Sequence, residues 1–332
     1  MSRISTDTAT DSFAAEAESF DAQIVERLEN GHVPDLRRSG RCEWFRNNVW
    51  RDAAYVDMIY GGYVRQILAA IDTHSSLGRA RILEVGCGPG HVALELSRNG
   101  HDVVGIDLSA ECIDVARGSA GSDPWADRRG GLAYCCGSLD AFEDSEPFDV
   151  AIFVGSLHHF ADVPGALRKV DTLLAPGGLV YVNEPNRDSY TQGDALVMHL
   201  IRVLLSSGNH YHEPQVMPAG EAEFGNALDN VRREMACVTK EGAKTQSPHD
   251  NDATFGEMLE ALRHRFDVLE EDDEFAFADR VIGGLRFEDV EDEHRTAQWL
   301  YEMDRRLREA GVISPQRSHL LARKRRDTVD EG

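Results

Sequence analysis

A doubly wound α/β fold is the architecture this sequence predicts, and three observations predict it. Short apolar runs alternate with helix-period runs between residues 81 and 183. The first of these runs ends in a glycine-rich bend that opens directly into a helix. The same rhythm resumes at residue 254 after an interruption. Connections this short, joining strands to helices in alternation, imply a mostly parallel sheet with helices on both faces.

Taken in order, residues 81–85 read as the first strand, 91–99 as a helix stopped by Gly100, and 102–106 as the second strand. Ser109 is placed to cap the helix that follows, which runs to about Arg117. Further strands are expected at 132–136, 149–154 and 179–183, with a helix at 163–174 before the last of them. Aromatic and aliphatic residues at helical spacing from Trp44 to Ile71 predict one or two helices ahead of the sheet. Beyond Pro185 the pattern loosens into an apolar helix at 195–205, then loops bearing Gly, Pro and His to about Asp252. Thr254 and Glu257 form a capping-box signature that opens a helix to about Arg263. A strand near 266–269, a helix at 289–310 and a final strand at 319–323 complete the reading, with the acidic run 270–274 expected as a solvated strand end and turn. The resulting organisation is a fraying, disordered tail (1–22), a helical N-terminal extension (23–75), a Rossmann-like core (76–187), an insertion after strand five (188–252), a C-terminal part completing the sheet (253–326) and a short tail (327–332). No chemistry is expected in the first tail.

Bulk composition narrows the function. The chain has 332 residues, 42% hydrophobic and 28% charged, with no apolar run near the roughly 18 residues that cross a bilayer. The first dozen residues lack the pattern of a secretory signal, and the six cysteines include no CxxC pair, so a cytoplasmic setting is expected. Acidic residues number 58 against 35 basic ones, a formal net charge of −23. Such a surface repels polyanions and disfavours a nucleic-acid substrate.

The sharpest local signal is Ile82-Leu-Glu-Val-Gly-Cys-Gly-Pro-Gly90, where a strand meets Gly86, Cys87, Gly88 and Gly90 and then a helix. Glycines let backbone amides approach a ligand without Cβ interference. Glu84 stands two residues before the first glycine. An anion there suits an ammonium and a sulfonium, not a pyrophosphate. Asp107 ends the next strand, where one carboxylate can accept from both hydroxyls of a ribose.

This ExGxGxG bend, with an acid closing the second strand, resembles the class I S-adenosylmethionine-dependent methyltransferases over roughly residues 81–185. The resemblance implies a seven-stranded sheet with an antiparallel last strand, and S-adenosyl-L-methionine as cofactor. Gly137-Ser138-Leu139 falls where the family contacts adenine; Ser138 stands where many relatives carry Asp, and Leu108 and Leu139 are placed to sandwich the ring. Val154, at the end of the fourth strand, borders the same site.

Methyl transfer is an in-line displacement at an already activated carbon, so alignment and water exclusion dominate, and a base helps a hydroxyl acceptor. His158 and Glu184 fall at the ends of strands four and five, where His158 is expected to act as base with Glu184 orienting it. A similar pair occurs in family members that methylate hydroxyls of small natural products. His159 is the weaker choice, since loop neighbours usually point apart. His210-Tyr-His-Glu213 has metal-ligand residue types but no evident third and fourth ligand, so no metal is assigned. The expected function is methyl transfer to a small-molecule acceptor, at a hydroxyl oxygen. Transfer to protein or RNA, and a non-catalytic cofactor-binding module, are the alternatives. No membrane partner is expected.

Overall fold

Seven strands form the central sheet: β1 Arg81–Val85, β2 Asp102–Asp107, β3 Leu132–Cys136, β4 Phe148–Val154, β5 Leu174–Pro185, β6 Phe266–Asp273 and β7 Arg317–Lys324. The computed structural model describes residues 3–4, 11–75, 77–215 and 217–326. Spatial order is β3-β2-β1-β4-β5-β7-β6, with β1 to β5 mutually parallel and β7 antiparallel to both its neighbours. The order reverses between β1 and β4, the place where open α/β sheets hold their ligands.

Strands covered on both faces must be apolar almost throughout. Leu83, Val104 and Phe153 pack one way, against Leu167, Met258 and Leu262. Ile82, Val103 and Ile152 pack the other way, against Ile67, Val92 and Ile113. The covering helices are α1 Asp11–Glu29, α2 Gly62–His74, α3 His91–Arg98, α4 Ala110–Gly121, α5 Val163–Leu173, α6 Gln192–Ser207, α7 Glu221–Met235, α8 Phe255–Arg265 and α9 Val290–Glu309. Ser109 caps α4 by accepting from the Cys112 amide at 3.0 Å, and Thr254 with Glu257 closes the capping box on α8.

Above the carboxyl ends of the strands sits a third apolar cluster, built from Trp50, Tyr55, Tyr63, Met198, Val231, Phe277 and Leu300. It joins the N-terminal extension, the insertion and α9 into one cap. Arg51, fully buried, pairs with Glu293 at 2.9 Å, and the Tyr55 hydroxyl donates to the same carboxylate at 2.9 Å. Only a doubly satisfied charge of this kind is tolerated in such a core.

Four expectations change. The segment read as a fraying tail is helical from Asp11 onward, because it has a partner surface that local composition does not reveal; its first two residues and residues 5–10 lie outside the described residues, as do 327–332. The helix expected between Trp44 and Ile71 starts at Ala53 and passes through a wider turn at Asp57–Gly61 before α2. The loops expected late in the insertion contain α7, whose Leu228, Val231 and Met235 are buried at helical spacing. The acidic run is mostly strand, and Glu274 is buried, accepting from Asn183 Nδ2 at 2.9 Å.

Candidate cofactor cleft and active site

β1 delivers Glu84 and the glycine bend to the switch point. Gly86 adopts φ +72°, and a Cβ there would lie 2.5 Å from Cβ of Ser156, so the bend can press against the exit of β4 only as glycine. Gly90 also has positive φ, but a Cβ would strike the Tyr134 hydroxyl at 2.6 Å. Gly90 therefore serves the helix start and packing and does not line the cavity, whereas Gly86, Cys87 and Gly88 do. That cavity, about 290 Å³, is also lined by Glu84, Asp107, Leu108, Ser138, Leu139 and Val154. Asp140, passed over in the sequence, lines it beside Ser138 and offers the carboxylate that Ser138 lacks.

Two carboxylates set the electrostatics of the cleft. Glu84 is 3% exposed and its Oε2 has no hydrogen-bond partner; burial pushes its pKa up to about 8. A carboxylate left this way is an unfilled receptor for a cation. Asp107 accepts from the Gly88 amide at 2.7 Å and the Ser109 amide at 2.9 Å, bonds that counter the upward push of burial. Its remaining lone pairs can meet a diol. These donor and acceptor groups fit S-adenosylmethionine: Glu84 for the ammonium, the glycine backbone beneath the chain, Asp107 for the ribose, and Leu108 with Leu139 around the base.

α1 covers this cleft with Phe13, Glu16, Phe20, Gln23, Ile24 and Arg27. Glu16 is the clasp: it accepts from the Ser247 hydroxyl at 2.7 Å and the His249 amide at 2.9 Å, and pairs with His159 Nδ1 at 2.8 Å. Sequence reasoning missed this because the contacts span more than 140 residues. Glu16→Gln should weaken the charged half of the clasp, worth about 1–2 kcal/mol, and speed release of S-adenosylhomocysteine roughly 5- to 30-fold in stopped-flow measurements. An unchanged release rate would show that α1 does not hold the cleft shut.

At the exit of β4, Glu184 organises the turn. Its Oε1 accepts from the Ser156 and Leu157 amides at 2.8 and 2.7 Å, and its Oε2 meets His158 Nδ1 at 2.6 Å. The pairing expected from the sequence is thus present, in a fully buried carboxylate. Asp250, from the insertion, lies 3.5 Å from His158 Nε2. Burial alone would lower the His158 pKa, but the charges of Glu184 and Asp250 outweigh it and hold it above the ordinary value. His158 does not line the cofactor cavity; His159 does, and the two rings lie 4.1 Å apart. Ligand atoms of His158, His159 and Asp250 all fall within 4.8 Å of one another, a donor set able to take a divalent cation.

The 210–213 motif has a structural role. His210 stacks on Phe287 at 4.0 Å, and the His212 amide donates to Gly284, tying the insertion to the cap. Arg202 of α6 is clamped to Glu234 of α7 at 2.6 and 2.7 Å. Neither Met198, His199, Arg202, Tyr211 nor His212 reaches the cofactor cavity.

A doubly wound sheet in this strand order, with an unpartnered acid beside a glycine bend and a second acid closing β2, defines a class I S-adenosylmethionine-dependent methyltransferase. The chain belongs to that family, and S-adenosylmethionine is its cofactor. A methyltransferase-domain family model matches residues 60–218. The ubiquinone biosynthesis O-methyltransferase of a Chelativorans species is 32% identical over 203 residues, 58% of this chain and 76% of that protein. The protein of the same name from Aeromonas salmonicida is 28% identical over 196 residues, 58% of this chain and 80% of that one. Among solved structures, a candidate sarcosine dimethylglycine methyltransferase from Galdieria sulphuraria shares the fold with a TM-score of 0.51 at 14% identity, covering 93% of this chain and 98% of that one. No helix among the described residues is long and apolar enough to cross a membrane.

Proposed function

We propose that the protein transfers the methyl group to a hydroxyl oxygen of a small-molecule acceptor in the cytoplasm, with His158 accepting the hydroxyl proton and Glu184 positioning His158. The observation that carries this reading is the 2.6 Å bond from Glu184 to His158 Nδ1 at the carboxyl ends of β4 and β5. A carboxylate that fixes the proton on Nδ1 leaves Nε2 as the nitrogen able to take one. Bound S-adenosylmethionine supplies an activated methyl; the chain's own task is to align the acceptor, exclude water and hold the proton. Asp250 stands at Nε2 and must yield that position to the acceptor hydroxyl. The relatives' names, O-methyltransferases acting in ubiquinone biosynthesis, support oxygen as the acceptor atom. The net charge of −23 speaks against RNA.

A second reading makes His159 the base in place of His158, favoured by its place in the cavity wall and by a buried Nε2 with no partner among the described residues. Incubation with methyl-labelled cofactor and a metabolite extract from the source organism, followed by mass identification, should yield labelled methyl ethers. Labelled protein or RNA in the same extract, or tight cofactor binding with no labelled product at all, would overturn the reading.

A further inference from the structure

Several buried arginines in this protein are tightly paired with carboxylates. Arg98 sits 2.8 Å from Asp35, Arg51 2.9 Å from Glu293 and Arg202 2.6 Å from Glu234. With 58 acidic residues to 35 basic ones, carboxylates are plentiful. Three arginines around the carboxyl end of β5 and the amino end of β7 have no such close partner.

Arg317 opens β7, opposite Pro185 of β5. Its Nη1 donates to the carbonyl and the side-chain oxygen of Asn183, and its guanidinium lies over the Tyr63 ring at 5.5 Å. No carboxylate among the described residues pairs with it within 4 Å, and its Nη2 is 3.8 Å from where a Cβ on Gly155 would be. Gly155 lines the cofactor cavity, so this free edge faces the place where the fourth strand delivers the reacting groups. Arg187, two residues past β5, has a buried Nη1 with no hydrogen bond and approaches Asp250 only to 3.5 Å. Arg280 reaches Asp279 only at 3.7 Å and makes no side-chain hydrogen bond among the described residues. The β5–β7 register sets Arg317 against Pro185, two residues before Arg187. Burial and the charges of Arg280 and Arg317 push the Arg187 pKa down, while, despite burial, the carboxylates of Asp279, Glu184 and Glu274 hold that of Arg317 above its ordinary value. Arg280 and Arg317 are half-buried, and the buried Nη1 of Arg187 is a donor whose isolation is costly unless an outside anion completes it. A planar fork suits a carboxylate best.

We infer that Arg317, backed by Arg187 and Arg280, binds a carboxylate of the acceptor, making the substrate a hydroxylated carboxylic acid. This rests on the methyl-transfer reading for the identity of the ligand as acceptor, while the anion site stands on the geometry alone.

The test uses the full chain saturated with S-adenosylhomocysteine at fixed ionic strength. Benzoate should bind saturably in calorimetry and benzamide roughly 10- to 100-fold more weakly. Arg317→Met should erase that difference and Arg317→Lys retain part of it, with melting curves confirming that both variants fold. With labelled S-adenosylmethionine, 3,4-dihydroxybenzoate should exceed 3,4-dihydroxybenzamide in kcat/KM by about tenfold or more, through KM, and Arg317→Met should abolish the preference. Absence of saturable benzoate binding overturns the site. Equal turnover of acid and amide, with benzoate bound, overturns its assignment to the acceptor and marks the anion as an effector's. Benzoate binding that depends on Arg317, with no turnover of either compound, supports the site and counts against the methyl-transfer reading instead.

Discussion

Glu84→Gln should cost roughly 150- to 5,000-fold in affinity for S-adenosylmethionine, read by calorimetry, because it removes the buried charge we place opposite the cofactor ammonium; breaking such a pair costs roughly 3–5 kcal/mol. The cofactor-free protein should respond in the opposite sense. Glu84 has its pKa pushed up to about 8 by burial, against 4.5 for an ordinary glutamate. An acid raised in this way contributes its full share of stability below pH 4.5 and loses it as pH rises through about 8, since the unfolded chain ionises first. At pH 7 the carboxyl therefore burdens the empty fold by up to roughly 3 kcal/mol, which a neutral glutamine relieves in part. The variant should melt at an equal or higher temperature than the parent while failing to bind. Cofactor binding to the parent should also release close to one proton at pH 7, so the apparent binding enthalpy in Tris and in phosphate should differ by the difference in buffer ionisation heat. Retained affinity in Glu84→Gln, with no buffer dependence in the parent, would remove Glu84 from the ammonium site.

His158→Gln should lower turnover about 10²- to 10³-fold while leaving S-adenosylhomocysteine affinity within about threefold, the separation expected of a proton acceptor outside the cofactor cavity. The parent's kcat/KM should rise with pH along a limb above 6.5, because Glu184 and Asp250 together hold the imidazole protonated beyond its ordinary range. Asp250→Asn removes one of those negative charges, so its limb should move to lower pH. A histidine raised in this way stabilises the fold fully below pH 6.5 and less as pH climbs through its folded value. Parallel thermal melts therefore separate a lost base from a weakened turn. If His158→Gln turns over normally and His159→Gln does not, the proton goes to the histidine in the cavity wall.

Much of the site was legible because its signals are local. A tight bend, a capping residue and an acid at a strand end are fixed by a few neighbouring positions, so Glu84, Gly86, Gly88 and Asp107 could be placed from spacing alone. Gly90 shows the limit: its type follows from the bend, but its contact is Tyr134 on a distant strand.

The sequence by itself determined the apolar runs that must be strands, the turn chemistry between them and the acids that flank the cleft, all consequences of short-range sterics and hydrophobic period. Tertiary structure alone decided what closes over that frame. α1 is orderly because Ser247, His249 and His159 give Glu16 its partners. Asp250 and the three underpaired arginines meet β4, β5 and β7 only through folding of distant segments. Burial, which converts an ordinary carboxyl into a cation receptor, belongs to the assembled cleft and has no local signature in the chain.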